Sequence, residues 1–187
     1  MPGSPGYGVI DLTLVENPVL KYQPAWNITS TVRKDIIKML ESCNLAEDDV
    51  DAVSMVGTEL AENAVKYGVY SEGQFFSVAI ECNKDRIVVT VSNPFGEPAR
   101  ENLERCLAII DRIEGSMDPG ELYRERILAL AQGQADVVGE PGMLSAGLGL
   151  LRVGYEGQAH LEAAIVNQDQ FRIRATYIRS DAKVTAD

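Results

Sequence analysis

Residues 58–68 read TELAENAVKYG, and this stretch is the most informative part of the sequence. On a helix, Glu59, Asn63 and Lys66 fall on one face, because residues three and four apart are neighbours on a helix surface. The amide oxygen can bind Mg²⁺, the carboxylate can orient or deprotonate a nucleophile, and the ammonium can meet phosphate oxygens. The three side chains therefore suit a metal–phosphate group, although the pattern alone is also typical of a solvated helix face.

The hydrophobic pattern around this stretch predicts an α+β fold. The predicted strands cover residues 10–15, 19–26, 75–82, 86–93, 160–167 and 171–178. The predicted helices begin at a capping Ser30 and near Glu47, cover two segments after Pro94, and return at 150–155. Because the later strands form hairpin-like pairs, we expect a largely antiparallel, mixed sheet with helices on one face, which is a two-layer α/β sandwich.

Composition and charge exclude several classes of protein. The chain has 187 residues, of which 45% are hydrophobic and 24% charged, and these values predict a single globular domain over 1–187. The net charge of −11 argues against nucleic acid and against an anionic membrane surface as partners. No apolar run reaches about eighteen residues, so we expect no membrane span. Three widely spaced cysteines fit neither a disulfide framework nor a zinc site, which indicates the cytoplasm.

A second informative stretch, residues 145–150, reads SAGLGL and ends a glycine-rich loop that begins at Gly133. Glycines let the backbone approach phosphate groups closely, and the start of the following helix offers free N–H groups and the positive end of the helix dipole. A tightly packed helix entry needs the same residues, so this stretch is also weak alone. The two stretches in this order, with a long insertion between them, are a much stronger indication of a phosphate site.

Together they resemble the GHKL superfamily, whose ATP-binding (Bergerat) fold is shared by gyrase, a heat-shock chaperone, sensor histidine kinases and a mismatch-repair ATPase. Glu59, Asn63 and Lys66 stand in a stretch similar to its N box, and the resemblance extends over about residues 25–180. It implies that Glu59 is the catalytic base, that Asn63 is the Mg²⁺ ligand, and that Lys66 contacts phosphate.

Gly147, Leu148 and Gly149 resemble the second glycine box of the superfamily, which binds the phosphates of ATP. Residues 97–146 occupy the place of its ATP lid. The box begins here with Ser145 where the superfamily usually has glycine. The resemblance therefore implies ATP and Mg²⁺ as cofactors and a helical lid insertion between the two motifs.

The adenine side departs further from the superfamily pattern. Its first glycine box carries an Asp after a strand, followed by glycines, and that Asp accepts a hydrogen bond from the adenine amine. Here Asn93 stands in the place of the Asp, Phe95 in the place of the first glycine, and Gly96 follows. An amide oxygen can still accept from the amine but without charge assistance. The Phe95 ring would either stack on adenine or fill its place.

Size makes the chain most similar to the small bacterial anti-sigma-factor serine kinases and to the SiaB-like partner-switching kinases. The resemblance implies a protein kinase that phosphorylates or sequesters a regulatory partner: a sigma factor, an anti-anti-sigma (STAS-type) protein or a small acceptor protein. A homodimer is compatible with it. The alternative is a degenerate, nucleotide-free module that acts by protein–protein interaction alone. A histidine kinase core fits poorly, because His160 is predicted to lie in a strand.

Overall fold

The computed structural model describes residues 19–25, 27–132, 147–167 and 169–183. The predicted strand at 10–15 and the part of the glycine-rich loop that covers 133–146 lie outside the described residues. Within the described ranges, no helix is both long enough and apolar enough to cross a membrane.

The described residues form five strands and six helices. The strands are β1 (Val19–Tyr22), β2 (Phe76–Cys82), β3 (Arg86–Pro94), β4 (Ala159–Val166) and β5 (Gln170–Ile178). The helices are α1 (Thr29–Leu40), α2 (Glu47–Tyr67), α3 (Arg100–Glu114), α4 (Pro119–Ala131), α5 (Leu148–Tyr155) and α6 (Ser180–Lys183). Short 3₁₀ turns follow α1 at Glu41–Cys43 and precede α3 at Glu97–Ala99.

The strands form one sheet in the order β1-β2-β3-β5-β4, and each pairing between described strands is antiparallel. The β2–β3 hairpin closes at Asn83, whose Oδ1 accepts hydrogen bonds from the backbone N–H groups of Asp85 (3.1 Å) and Arg86 (2.9 Å). Strand β5 lies between β3 and β4, and its Phe171 is opposite Asn93. The predicted α+β sandwich is confirmed, with a described sheet that is antiparallel throughout.

Two details of the helix and strand ends differ from the prediction. Ser30 does not cap α1, because the helix begins one residue earlier and Ile28 occupies the N-cap position without a side-chain bond. Strand β1 ends at Tyr22, where a prolyl residue follows closely at Pro24. Proline lacks the N–H that a sheet ladder needs, which accounts for the early end of the strand.

Helix α2 lies at the centre of the helical layer and carries the apolar stripe predicted from its sequence. Val53 and Leu60 are fully buried against the sheet and α1, and Ala64 is nearly so. The core that they join is built from alternate residues of the strands and one face of each neighbouring helix. Its largest fully buried side chains include Phe76, Ile87 and Leu161 from the sheet and Ile36 and Leu60 from the helices.

The first turn of α2 is tied to the end of β5 by a buried carboxylate. Asp49 has only 1% of its surface exposed. It accepts hydrogen bonds from Tyr177 Oη at 2.6 Å and from Ser180 Oγ at 3.0 Å. The carboxylate also lies at the positive end of the helix dipole, which favours a negative charge there. Asp49 therefore fixes where α2 starts relative to the sheet.

The segment between β3 and α5, predicted as a lid, begins with a helix of the hydrophobic core. Leu103, Ile110 and Ile113 of α3 are buried in it, and Glu114 Oε1 accepts a hydrogen bond from the backbone N–H of Leu161 in β4 at 2.7 Å. Helix α4 is more exposed and packs on α5. The two helices of this segment thus differ in how firmly they join the rest of the molecule.

Candidate functional site

The second half of α2 and the first turn of α5 meet at a glycine. A Cβ atom added to Gly149 would lie 2.7 Å from Oε2 of Glu59 and 3.9 Å from Nδ2 of Asn63. The first of these distances is too short for any real side chain to tolerate without a shift. Gly149 therefore lets the Glu59 carboxylate approach the backbone at the start of α5, and it brings the two sequence-predicted motifs together.

Gly147 begins α5 in a conformation that favours glycine. It occupies the N-cap position with φ of +86°, and a Cβ there would lie 2.7 Å from Cδ1 of Ile109 in α3. Its carbonyl accepts the first helical hydrogen bond, from Leu151 N–H at 3.0 Å. The N–H groups of Leu148 and Gly149 belong to the first turn, whose donors have no partner within a helix. This turn can therefore bind an anion.

Glu59 is paired with an arginine that the sequence analysis did not single out. Arg152 Nη1 donates to Glu59 Oε1 at 2.8 Å, and the Glu59 side chain is 19% exposed. Arg152 follows Gly149 by three residues, about one helical turn, so it lies on the same face of α5 as the glycine that admits Glu59. That spacing is the signal that could have found it.

The same arginine binds a second carboxylate on its own helix. Arg152 Nε donates to Glu156 Oε2 at 2.6 Å, and this bond is the main reason why the pKa of Glu156 is lowered. The other oxygen of Glu156 accepts a hydrogen bond from Tyr123 Oη of α4 at 3.1 Å. Burial, and then this bond, raise the pKa of Tyr123, so its hydroxyl keeps its proton.

Asn63 carries a buried polar atom without a partner. Its Nδ2 has no hydrogen-bond partner among the described residues and is shielded from solvent. A buried polar group left unpaired costs about 1–3 kcal/mol, and oxygen and nitrogen of an amide are distinguished only by their bonds. Beside the Glu59 carboxylate and the first turn of α5, Nδ2 of Asn63 can be satisfied by a ligand atom that accepts a hydrogen bond, such as a phosphate oxygen, whereas only the amide oxygen can bind a metal ion.

A small cavity on the other side of Asn63 marks the adenine side of the predicted site. Asn93 and Phe95 line it together with Asn63. Its other lining residues are Ala64, Tyr67, Ala99, Asn102, Leu103, Cys106, Phe171 and Ile173. The cavity measures about 30 Å³, roughly the share of one water molecule, whereas small-molecule pockets measure about 300–1,000 Å³. A purine needs this cavity to open.

The walls of the cavity are neutral and mostly apolar. Burial raises the pKa of the Cys106 thiol to about 12, so Cys106 is not a nucleophile at neutral pH. Burial also raises the pKa of Tyr67. The amide of Asn93 is nearly buried, and its Nδ2 donates to the carbonyl of Pro94 at 2.9 Å. That bond leaves the Asn93 oxygen as the atom able to accept from an amine.

Two predicted site residues lie outside this arrangement. Lys66 Nζ lies 3.7 Å from Glu62 Oε2, in a separate shallow hollow that Thr29 helps to line. Gly96 does not line the cavity, and its nearest side-chain neighbour is Val69. The structure thus brings Glu59, Asn63 and Gly149 together, places Asn63 and Asn93 in the lining of one cavity, and leaves Lys66 and Gly96 aside.

Comparisons with known proteins identify a solved structure with a similar fold. No family model and no curated protein matches the chain. Among solved structures, it is similar to a chain in the crystal structure of the SiaB–SiaC complex from Pseudomonas aeruginosa, with a TM-score of 0.62 and 20% sequence identity. The match covers 85% of this chain and 89% of the other. The two chains share one fold.

Proposed function

We propose that this protein is an ATP-binding regulator of the partner-switching type, which phosphorylates a serine or threonine of a partner protein with Mg-ATP. The observation that carries the proposal is the unpartnered Asn63 amide, held beside the Glu59 carboxylate and the first turn of α5. The sequence resemblance to the GHKL superfamily supports it. So does the structural similarity to a chain of the SiaB–SiaC complex, since that assembly joins two proteins.

The donor set fits Mg-ATP in kind. Among the described residues, no group of three or more His, Cys, Asp and Glu side chains could hold a metal ion by itself. A Mg²⁺ ion at Asn63 would therefore be shared with phosphate oxygens and water, which is how Mg²⁺ is usually bound in ATP sites. The first turn of α5 would bind phosphate through the N–H groups of Leu148 and Gly149.

Each residue of the site has a separate task in this scheme. Mg-ATP supplies the phosphoryl group that the acceptor hydroxyl receives, and ADP is released. Glu59 takes the proton of that hydroxyl, and Asn63 holds the metal ion. Lys66 contributes to phosphate binding only if it leaves Glu62, from which it now lies 3.7 Å away. The acceptor would be a sigma factor, an anti-anti-sigma protein or a small acceptor protein.

A second function has one observation in its favour. The cavity lined by Asn93 and Phe95 measures about 30 Å³, far less than the roughly 300–1,000 Å³ of small-molecule pockets. A protein whose cavity stayed closed would not bind nucleotide. It would act as a binding module that sequesters its partner through the protein surface alone.

Calorimetric titration of the full chain separates the two functions. On the kinase proposal, Mg-ATP gives a binding isotherm, and ATP in the presence of EDTA binds at least about tenfold more weakly, because Asn63 acts through the metal ion. Glu59→Ala should keep Mg-ATP binding and lose phosphoryl transfer, whereas Glu81→Ala, at an exposed position of β2, should keep both. Absence of heat at millimolar Mg-ATP would favour the binding module.

A further inference from the structure

We infer that Arg152 is a positioning residue for Glu59, and that a hydrogen-bond chain from Tyr123 through Glu156 holds Arg152 in place. The inference rests on the proposed function in one respect, the role of Glu59 as the base. The contacts themselves are properties of the protein without nucleotide.

The chain of contacts is continuous across three helices. Glu59 of α2 accepts from Arg152 of α5 at 2.8 Å, and Arg152 donates to Glu156 at 2.6 Å. Glu156 in turn accepts from Tyr123 of α4 at 3.1 Å. Each oxygen of Glu156 therefore has a separate donor. The hydrogen-bonded route from Tyr123 to Glu59 passes through Glu156 and Arg152.

Arginine is suited to the central place in this chain. The guanidinium is planar and always charged, and it donates along two different edges at once. Here its Nε faces Glu156 and its Nη1 faces Glu59. Since the two bonds fix the plane of the guanidinium, loss of the Glu156 bond lets the plane rotate, and the Glu59 carboxylate loses its fixed partner. A lysine at this position has one point charge and cannot hold both carboxylates in that way.

The hydrogen-bond chain reaches the segment between β3 and α5 at Tyr123 of helix α4. The rings of Tyr123 and Tyr155 pack with centroids 5.5 Å apart. A Cβ added to Gly120 would lie 2.7 Å from Cε2 of Tyr155, so the glycine allows α4 to sit close to α5. The position of α4 on α5 thus decides whether the Tyr123 hydroxyl reaches Glu156. It follows that the orientation of the candidate base depends on the docking of α4.

The spectroscopic test uses the nucleotide-free full chain with ¹⁵N-labelled arginine. The Nε–H signal of Arg152 is assigned by its loss in Arg152→Lys. We expect Tyr123→Phe, Glu156→Gln and Glu59→Gln each to shift and broaden this signal, although the hydroxyl of Tyr123 donates to Glu156 and not to Arg152. Tyr155→Phe is the matched control, because its hydroxyl has no hydrogen-bond partner among the described residues. A signal that Tyr123→Phe leaves unchanged, or that Tyr155→Phe moves equally, overturns the inference.

The functional arm separates this inference from the proposed function. We expect Arg152→Gln to lower kcat for phosphoryl transfer about tenfold or more, and Tyr123→Phe to lower it less, because a displaced catalytic group loses rate steeply. The Kd for Mg-ATP should stay within about twofold, since neither side chain is a predicted ligand. If wild type transfers no phosphate, the kinase proposal fails. The Arg152 Nε–H signal still tests the hydrogen-bond chain from Tyr123 to Glu59 in that case. If wild type transfers phosphate and Arg152→Gln does so at the same rate, Arg152 does not position Glu59.

Discussion

Helix α2 carries the buried Asp49 in its first turn and the half-buried Asn63 near its other end, and the hydrogen bonding of their shielded atoms differs. In the first turn, Asp49 accepts hydrogen bonds from Tyr177 and Ser180, and both of its oxygens are occupied. Towards the other end, the Asn63 amide nitrogen has no partner among the described residues, and the neighbouring Glu59 is held from one side by Arg152.

The difference separates a structural role from a binding role. A buried group whose bonds are complete is part of the frame, and removing it lowers stability. A buried group whose hydrogen bonds are incomplete lowers the stability of the protein without ligand. A ligand that completes those hydrogen bonds recovers this free energy. Asp49 belongs to the first kind and Asn63 to the second, although both are polar residues on one amphipathic helix.

The largest effect is expected in the first turn of α2, where the hydrogen bonds of the buried Asp49 are complete. Asp49→Ala leaves the Tyr177 hydroxyl and Ser180 without their acceptor, so we expect a loss of about 3 kcal/mol in the free energy of unfolding. Asp51→Ala is the control, because Asp51 is exposed and forms only a surface ion pair with Arg33 at 3.6 Å. That change should cost under about 0.5 kcal/mol. Urea denaturation measures both, and equal losses would remove the distinction between the two ends.

The next effect is expected where α2 meets α5. A methyl group at Gly149 displaces the Glu59 carboxylate from its place, so Gly149→Ala should lower phosphoryl transfer about tenfold. Its stability should change by less than about 1 kcal/mol, because alanine favours the helix by a similar amount. Gly96→Ala, whose Cβ would meet nothing closer than 3.6 Å, should change neither quantity. Identical activities in the two variants would contradict the packing of Glu59 on Gly149.

Most helices and strands could be predicted because they depend on local patterns of hydrophobic and polar residues. The alternation of β2 and β3 placed that hairpin to within about one residue at its outer ends, and the long amphipathic run placed α2 from Glu47 to the residue before Gly68. The pattern of Glu59, Asn63 and Lys66 and the glycines at 147 and 149 together indicated a phosphate site, and the structure places Glu59 beside Gly149. In each case the signal lies in residues that are neighbours in the sequence.

What could not be predicted depends on residues far apart in the chain. Arg152 and Glu59 are separated by 93 positions, and nothing near either one names the other as its partner. The lack of a partner at Asn63 follows from every element packed around it. The closed cavity beside Phe95 reflects the packing of α3, which the sequence suggested as a lid and which buries Leu103 in the core.

Alkaline pH offers a further way to probe the first turn of α2. Burial, and then the hydrogen bond to Asp49, raise the pKa of Tyr177 above its ordinary value of about 10. The folded protein therefore holds this proton more tightly than the unfolded chain, so the stabilisation is complete below about pH 10 and is lost as the pH rises above it. Tyr177→Phe should reduce this loss by up to about 1.4 kcal/mol per pH unit. Unfolding at about pH 9 and pH 11 measures both slopes, and parallel slopes in wild type and Tyr177→Phe would contradict the expectation.

The smallest effect is expected at the adenine side. Asn93→Asp restores a charged acceptor, which is worth about 1 kcal/mol and so less than tenfold in the affinity for Mg-ATP. The carbonyl of Pro94 would lose the Asn93 donor but would keep the backbone N–H of Val69 at 3.2 Å. Phe95→Gly enlarges the cavity and should change the affinity further. Calorimetric titration with Mg-ATP compares both variants with wild type. If neither variant gains affinity, adenine does not enter the cavity lined by Asn93 and Phe95.

The most direct test of the account compares Asn63→Ala with wild type by calorimetric titration with Mg-ATP. We expect wild type and Glu81→Ala, a change at an exposed position of β2, to bind alike and Asn63→Ala to bind at least about tenfold more weakly. The unfolding free energy of Asn63→Ala should not fall, because the change removes a buried amide that has no partner for its nitrogen in the described residues. Equal binding by Asn63→Ala and wild type, or a clear loss of stability without a loss of binding, would contradict the assignment of Asn63 as the ligand-binding residue.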